Sequence, residues 1–523
     1  MSGQGSSPNE LNLNLGESCD IGPAGARKRR QEAFQVRQDA TLFQRNLPLP
    51  GHPCNGDEFL YPNKIGNYSK ALPHNQLGEV NLNAYQAMIE ALTTGNPEDF
   101  ESIPLGGVTK LTNPQAAYAF ELAGPDSHHL SLIAPPAFSS AQIASEMAEL
   151  YWQALTRDVY FMDYNTNPLT IAAASDLSGF ADFPGPKLNG EVTTGTLFRG
   201  NMPGDLVGPY ISQFLWQDIP FGAAKFAQRQ RTTIVGDDHL TMYEEWLNIQ
   251  NGFAPAAQNQ FDPVLRYIRS GRDLGEWVHR DFSCQGVLTA CLILLGYGKD
   301  ALAQTNPYLR SATQLGFTTF GIPHILDFVA RAARVALEAA WFQKFLVHRQ
   351  LRPEEYGGRV QNLLTGASDY PINSQLFNSQ AVSEIFNKYG TYLLPQAFVE
   401  GCPTHPSYPS GHAVYTGAGV TMLKAFFNES FVIPNPVLAS ADGLSLLPYS
   451  GPPLAVGGEL NKLAANIAIG RNFAGIHWRS DASEGIKLGE AVAIRILEDY
   501  RDTYNEDFSG FSFTKFDGTT III

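Results

Sequence analysis

The stretch GIPHILDFVARAARVALEAAWFQKFLVHRQLRP, residues 321–353, decides the fold. Pro323 stands where helices favour a proline in their first turn, and Ile325, Phe328, Val329, Ala332, Val335 and Ala336 follow at helical spacing. The pattern predicts one long helix from Pro323 toward Arg352, with Pro353 marking its end. The same period recurs outward from it. Ser139-x-x-Gln142 reads as a capping box ahead of Ile143, Met147, Leu150, Tyr151, Ala154 and Leu155. Further helices are predicted from Gly411 through Phe427, over about 460–470 and about 481–500, with a short one at 83–92. Strand signals are sparse, and the terminal Thr519 to Ile523 reads as a short strand or a subunit contact. The class is all-α, a helical-bundle architecture with few short strands.

Composition bounds the partners. Of 523 residues, 44% are hydrophobic and 17% charged, an ordinary globular balance. With 51 acidic and 36 basic residues the formal charge is −15, which repels nucleic acid and anionic membranes and argues against both as partners. Any anion site must therefore be built locally against the global field. The five cysteines (Cys19, Cys54, Cys284, Cys291 and Cys402) are scattered and form no CxxC pair, so neither a zinc ribbon nor a disulfide framework is indicated. Cys284 and Cys291 read as core packing. The opening segment has no basic n-region or apolar h-region, and the apolar run at 287–298 is too short to span a bilayer. The expectation is a soluble protein, cytoplasmic by default. Residues 1–130 read as an N-terminal arm (to about residue 25) and a loop-rich segment packed on an α-helical core at 131–523. Arg27 to Arg30 are expected in the first turns of a helix rather than in a nucleic-acid patch.

Three separated segments carry polar residues that packing does not require. The first runs from Lys344 to Arg352; the second, His405-Pro406-Ser407-Tyr408-Pro409-Ser410-Gly411-His412, opens a helix; the third is Arg471 to His477 with Asp481 four residues on. A lysine and two arginines offer positive charge and fixed donors suited to an oxyanion. Ser410 adds a hydroxyl, and the Gly411 N–H lies at a helix N-terminus, where free amides and the macrodipole favour an anion. Histidines in such a cup supply a nucleophile or ligand and an acid/base. The physical reading is a phosphate-shaped anion pocket with histidine chemistry. His128-His129 and Asp237-Asp238-His239 are read as polar loops.

Lys344…Arg352-Pro353, Pro409-Ser410-Gly411-His412 and Arg471…His477…Asp481 resemble the three signatures shared by vanadium haloperoxidases and type-2 phosphatidic-acid phosphatases. GFTTFGIPHIL, HPSYPSGHAV, GELNKLAANIAIGRNFAGIH, KFDGTTI, SEMAELYWQALTRD and GHPCNGDE are similar to the red-algal vanadium bromoperoxidases within that superfamily. The resemblance implies two four-helix bundles and vanadate as cofactor, with His477 as the one protein ligand of the metal and Asp481 holding its ring. It implies Lys344, Arg352, Ser410, the Gly411 amide and Arg471 on the vanadate oxygens, His412 as the catalytic acid/base, and His405 as a further active-site histidine. The implied substrates are hydrogen peroxide, a halide (bromide first, with chloride or iodide also open) and a small organic acceptor. The implied assembly is a homo-oligomer built on dimers, with a dodecamer among its forms. One position departs: the red-algal enzymes have arginine three residues before the lysine, where this chain has Trp341, a candidate for the halide pocket. An acid phosphatase with His477 as nucleophile is the alternative, because phosphate and vanadate share one shape.

Overall fold

The computed structural model describes residues 26–523, so the predicted arm at 1–25, with Cys19, lies outside the described residues. The helices used below are α1 (Ala26–Asn46), α2 (Ala141–Thr156), α3 (Gly271–Arg280), α4 (Ile322–Trp341), α5 (Pro353–Leu364), α6 (Gly411–Phe426), α7 (Val456–Phe473) and α8 (Arg479–Tyr500). The basic run at Lys28 to Arg30 does open a helix, with Lys28 paired to Glu32 across one turn at 3.7 Å. Among the described residues the strands form three small antiparallel hairpins, the last pairing Ser512–Thr514 with Thr520–Ile522. No helix of the described residues is long and apolar enough to cross a membrane.

Helices α4, α6, α7 and α8 pack on one another as a bundle around α6, whose residues are buried from Ala413 to Phe426. Small residues bring α6 and α8 together. A Cβ on Gly489 would stand 2.1 Å from the Val414 carbonyl oxygen, and one on Gly417 would stand 2.3 Å from that of Ile486. A second group, α2 with the helices at Pro168–Ser178 and Gln380–Tyr389, packs beside this bundle. Leu72, Val80, Tyr85, Met88, Leu92 and Phe100 form a small separate core that Phe345 completes. Gly489→Ala is expected to cost about 1–3 kcal/mol of stability, because the added methyl has only backbone to push against. Chemical denaturation checks this, and an unchanged midpoint would mean that the two helices separate freely.

The structure corrects several predicted boundaries. Ser140, not Ser139, caps α2, its Oγ accepting from the Ile143 N–H at 3.2 Å. The helix predicted to run from Pro323 to Arg352 ends at Trp341 and continues as a π-helical turn over Phe342–His348. Arg349 then takes a left-handed conformation (φ 42°), and Arg352 is extended. Pro353 therefore opens α5 instead of closing α4, a position where its missing N–H costs no bond. Helix α7 extends beyond the predicted 460–470 at both ends. Cys291 is fully buried as expected, but Cys284 is only half-buried, in a left-handed turn before Gln285–Gly296.

Candidate active site

The π turn decides where the first cation goes. By widening the helix it sends Phe345 into the small separate core and buries Lys344 completely on the side of the 405–411 loop. The Lys344 ammonium donates to the carbonyls of Pro406 (2.7 Å) and Ser407 (2.8 Å). Arg352, also fully buried, ties two segments together. Its Nε donates to the His405 carbonyl at 2.9 Å, one Nη to His405 Nδ1 at 3.0 Å, and the other to His477 Nε2 and the Ile476 carbonyl, each at 3.1 Å. Arg471, on the last turn of α7, donates to the Val278 carbonyl at 2.8 Å, while its Nε is buried with no partner. Its guanidinium lies 5.3 Å from the Phe398 ring centre, and that ring stacks on His279 at 3.6 Å.

The third segment turns sharply at Gly475 (φ 84°), where a Cβ would meet Gln396 at 2.6 Å. This turn sets His477 just ahead of α8. Asp481, in the first turn of α8, accepts on Oδ2 from His477 Nδ1 (2.7 Å), the Trp478 N–H (3.1 Å) and Ser407 Oγ. With Nδ1 as donor, Nε2 presents its lone pair on the side of Arg352. Asp481 Oδ1 has no partner, and burial pushes the carboxyl up to about 6. Ser410 caps α6, accepting from the Ala413 N–H at 3.5 Å, and its own N–H donates to the Asp481 carbonyl at 3.0 Å. A capping serine accepts, so its hydroxyl proton and the early N–H groups of α6 stay available to an anion. Gly411 faces Trp341, which a Cβ there would touch at 3.5 Å. Trp341 packs its ring 4.8 Å from that of His405 and donates from Nε1 to the Thr112 carbonyl at 3.0 Å.

His412 is more exposed than the sealed cations, with 24% of its side chain accessible. Its Nε2 lies 3.0 Å from Asp281 Oδ1, and Asp281 also accepts from the Tyr415 hydroxyl. Sequence reasoning missed Asp281. It ends α3, 131 residues before its partner, and nothing in His279-Arg280-Asp281 marks it. Ser407, a motif residue to which the sequence assigns no role, is the hydroxyl that buttresses Asp481.

The electrostatics are those of a cup for a negative ligand. Among the described residues no carboxylate is within ion-pair distance of Lys344, Arg352 or Arg471, whose donors go to carbonyls and imidazoles. Burial, reinforced by Arg352 and Arg471, holds the Lys344 ammonium well below its ordinary range. Burial also brings Arg471 down to about 10. His477 and His405 are pushed far down by burial and by Arg352 and Lys344, which keeps both imidazoles neutral. Asp481 and Asp281 act on these cations only at longer range; buried charge without a direct partner is costly, and an oxyanion would supply charge and acceptors together. Volume does not locate the site. A cleft of about 740 Å³ beside Tyr408, Ser480 and Glu484 and another of about 400 Å³ beside Phe161 and Tyr210 contain none of these three cations. Asp237-Asp238-His239 is a structural clamp: Asp238 accepts from Arg157 (2.8 Å), Arg272 (2.9 Å) and Tyr389 (2.6 Å).

Known proteins match this arrangement along nearly its whole length. A family model described as the VCPO second helical-bundle domain covers residues 328–506, which include all three polar segments. The chain is 36% identical to a vanadium-dependent bromoperoxidase of Ascophyllum nodosum, over 95% of this chain and 93% of that one. It is 35% identical to the vanadium-dependent bromoperoxidase of Corallina officinalis, over 95% and 98% respectively. The homohexameric structure of the second vanadate-dependent bromoperoxidase of Ascophyllum nodosum superposes with a TM-score of 0.91 at 29% identity, over 99% of this chain and 94% of that one. Agreement of that extent, in sequence and in backbone, includes the helices and turns that assemble the cup, and the chain belongs to the vanadium-dependent bromoperoxidase family.

Proposed function

We propose that this protein is a vanadate-dependent haloperoxidase that uses hydrogen peroxide to oxidise a halide, bromide first, to hypohalous acid, which halogenates small organic acceptors. The observation that carries the reading is three buried cations without carboxylate partners among the described residues, gathered beside a neutral imidazole whose Nδ1 is fixed by Asp481. The donor set fits a tetrahedral oxyanion. Lys344, Arg352, Arg471, the Ser410 hydroxyl and the Gly411 amide would hold its oxygens, and His477 Nε2, on the ring that Asp481 orients, would ligate its metal. When bound, vanadate supplies a Lewis acid that activates peroxide without a change of oxidation state.

The chain's own residues then do three things. Lys344, Arg352 and Arg471 stabilise the negative charge on the oxygens in a site closed to water. His412, the group nearest solvent, takes a proton from incoming peroxide, and Asp281 beside Nε2 steadies the imidazolium. His405, held by Arg352 and covered by Trp341, forms the wall on which a halide would rest. Trp341→Arg is expected to change the ratio of bromide to chloride turnover, since it adds a cation at that wall. Steady-state rates with each halide check it, and an unaltered ratio would remove Trp341 from halide selection.

An acid phosphatase could use the same cup, with His477 as nucleophile, but the full-length relatives favour the peroxidase. The deciding assay is bromination of a phenolic dye by hydrogen peroxide with and without vanadate, run beside phosphomonoester hydrolysis. Vanadate-dependent bromination is expected; hydrolysis without it would reverse the assignment. The same reading takes residues 1–130 as a segment packed on a 131–523 catalytic core, in a protein that works in solution and, by default, in the cytoplasm. It also takes the protein as a homo-oligomer. The homohexameric neighbour supports assembly, with the dimer-based and dodecameric forms resting on the resemblance alone.

A further inference from the structure

The geometry points to a second, cationic metal site, made by Asp126, His128 and His129 and suited to a zinc-like divalent ion. One ligand atom from each of the three residues can be chosen so that all lie within 4.8 Å of one another. Among the described residues their side chains make no strong polar contact elsewhere. Asp126 stands at the N-cap of the short turn Ser127–His129, yet its carboxylate makes no capping bond, which is the usual employment of an aspartate there. His129 Nδ1 is buried and has no hydrogen-bond partner. The two imidazoles lie 4.2 Å apart, centre to centre, at 37°. Among the described residues the only bond to His128 besides the backbone turn is at its carbonyl, from the side of His52 Nε2 at 3.3 Å.

Two borderline imidazoles dominate this donor set, with one harder carboxylate beside them. They select zinc or another late first-row ion over calcium or magnesium, which need more oxygen donors. Three protein ligands leave a fourth position for water.

The site lies on a strap that braces the catalytic loops. The Gly124 N–H donates to Asp499 of α8 (2.6 Å), the Leu130 carbonyl accepts from Gln343 (2.8 Å), and the Ile133 carbonyl accepts from the Tyr408 hydroxyl (2.8 Å). Gln343 precedes Lys344, and Tyr408 lies within the 405–412 loop. A bound cation would therefore staple the strap without joining the anion cup.

The test is calorimetric titration of zinc into chelator-stripped, vanadate-loaded full-length protein, with cobalt as a spectroscopic substitute. One equivalent per chain is expected, with the intense visible bands of four-coordinate cobalt. His129→Ala and the isosteric Asp126→Asn should each weaken zinc binding at least about tenfold. Zinc should raise the Tm of the wild type by more than that of either variant at the same zinc concentration. If His129→Ala does not fold, Asp126→Asn alone carries the comparison. No saturable zinc uptake, or uptake unchanged in the variants, would overturn the assignment.

Discussion

His477→Ala is expected to abolish vanadate-dependent bromination, a loss of at least about 10³-fold, and to abolish stoichiometric vanadium binding with it. His477 is the only imidazole in the cup whose Nδ1 is committed to a buried carboxylate, so it is the one ring fixed for Nε2 ligation. Its removal does not strand that carboxylate, because Asp481 Oδ2 keeps the Trp478 N–H and the Ser407 hydroxyl. The fold should therefore survive, which circular dichroism and a Tm near that of the wild type would show. Full bromination with one vanadium per chain in the variant would remove His477 from the role of ligand.

The second large effect belongs to His412. His412→Ala is expected to lower kcat by about 10²–10⁴-fold, the usual contribution of a positioned acid/base, while vanadium binding persists. Asp281→Asn should do less and should act through pH. Burial lowers the His412 pKa, and Asp281 opposes that by favouring the imidazolium. Without the carboxylate the pKa falls further. A base works when unprotonated, so the acidic limb of the rate profile should move to lower pH, while the maximal rate falls because the base is weaker. Rate measurements across pH check both statements. An unmoved acidic limb would mean that Asp281 merely packs.

The site was legible in the sequence because its cations and histidines fall in three short, contiguous segments. Each segment keeps a helix terminus or turn next to its polar residues, so local spacing carries the chemistry. What was not legible depends on backbone shifts that no residue type announces. The apolar run Phe345-Leu346-Val347 continues the helical period, yet the chain widens into a π turn there and then reverses at Arg349, a non-glycine residue with positive φ. Pro353 suits either the stop of one helix or the first turn of the next, and only tertiary packing selects the second. Asp281 was invisible for a different reason: its partner is on another helix, far along the chain. Likewise His128 and His129 read as loop polarity in the sequence, and only the fold sets Asp126 beside them and leaves the buried His129 Nδ1 without a partner among the described residues.

A crystal structure of the protein soaked in orthovanadate tests the central claim most directly. The expected result is anomalous density for one vanadium per chain, bonded to His477 Nε2, with its oxygens within hydrogen-bond reach of Lys344, Arg352 and Arg471. Saturating vanadate that leaves the space between those three cations without density, or that binds only elsewhere, would contradict it.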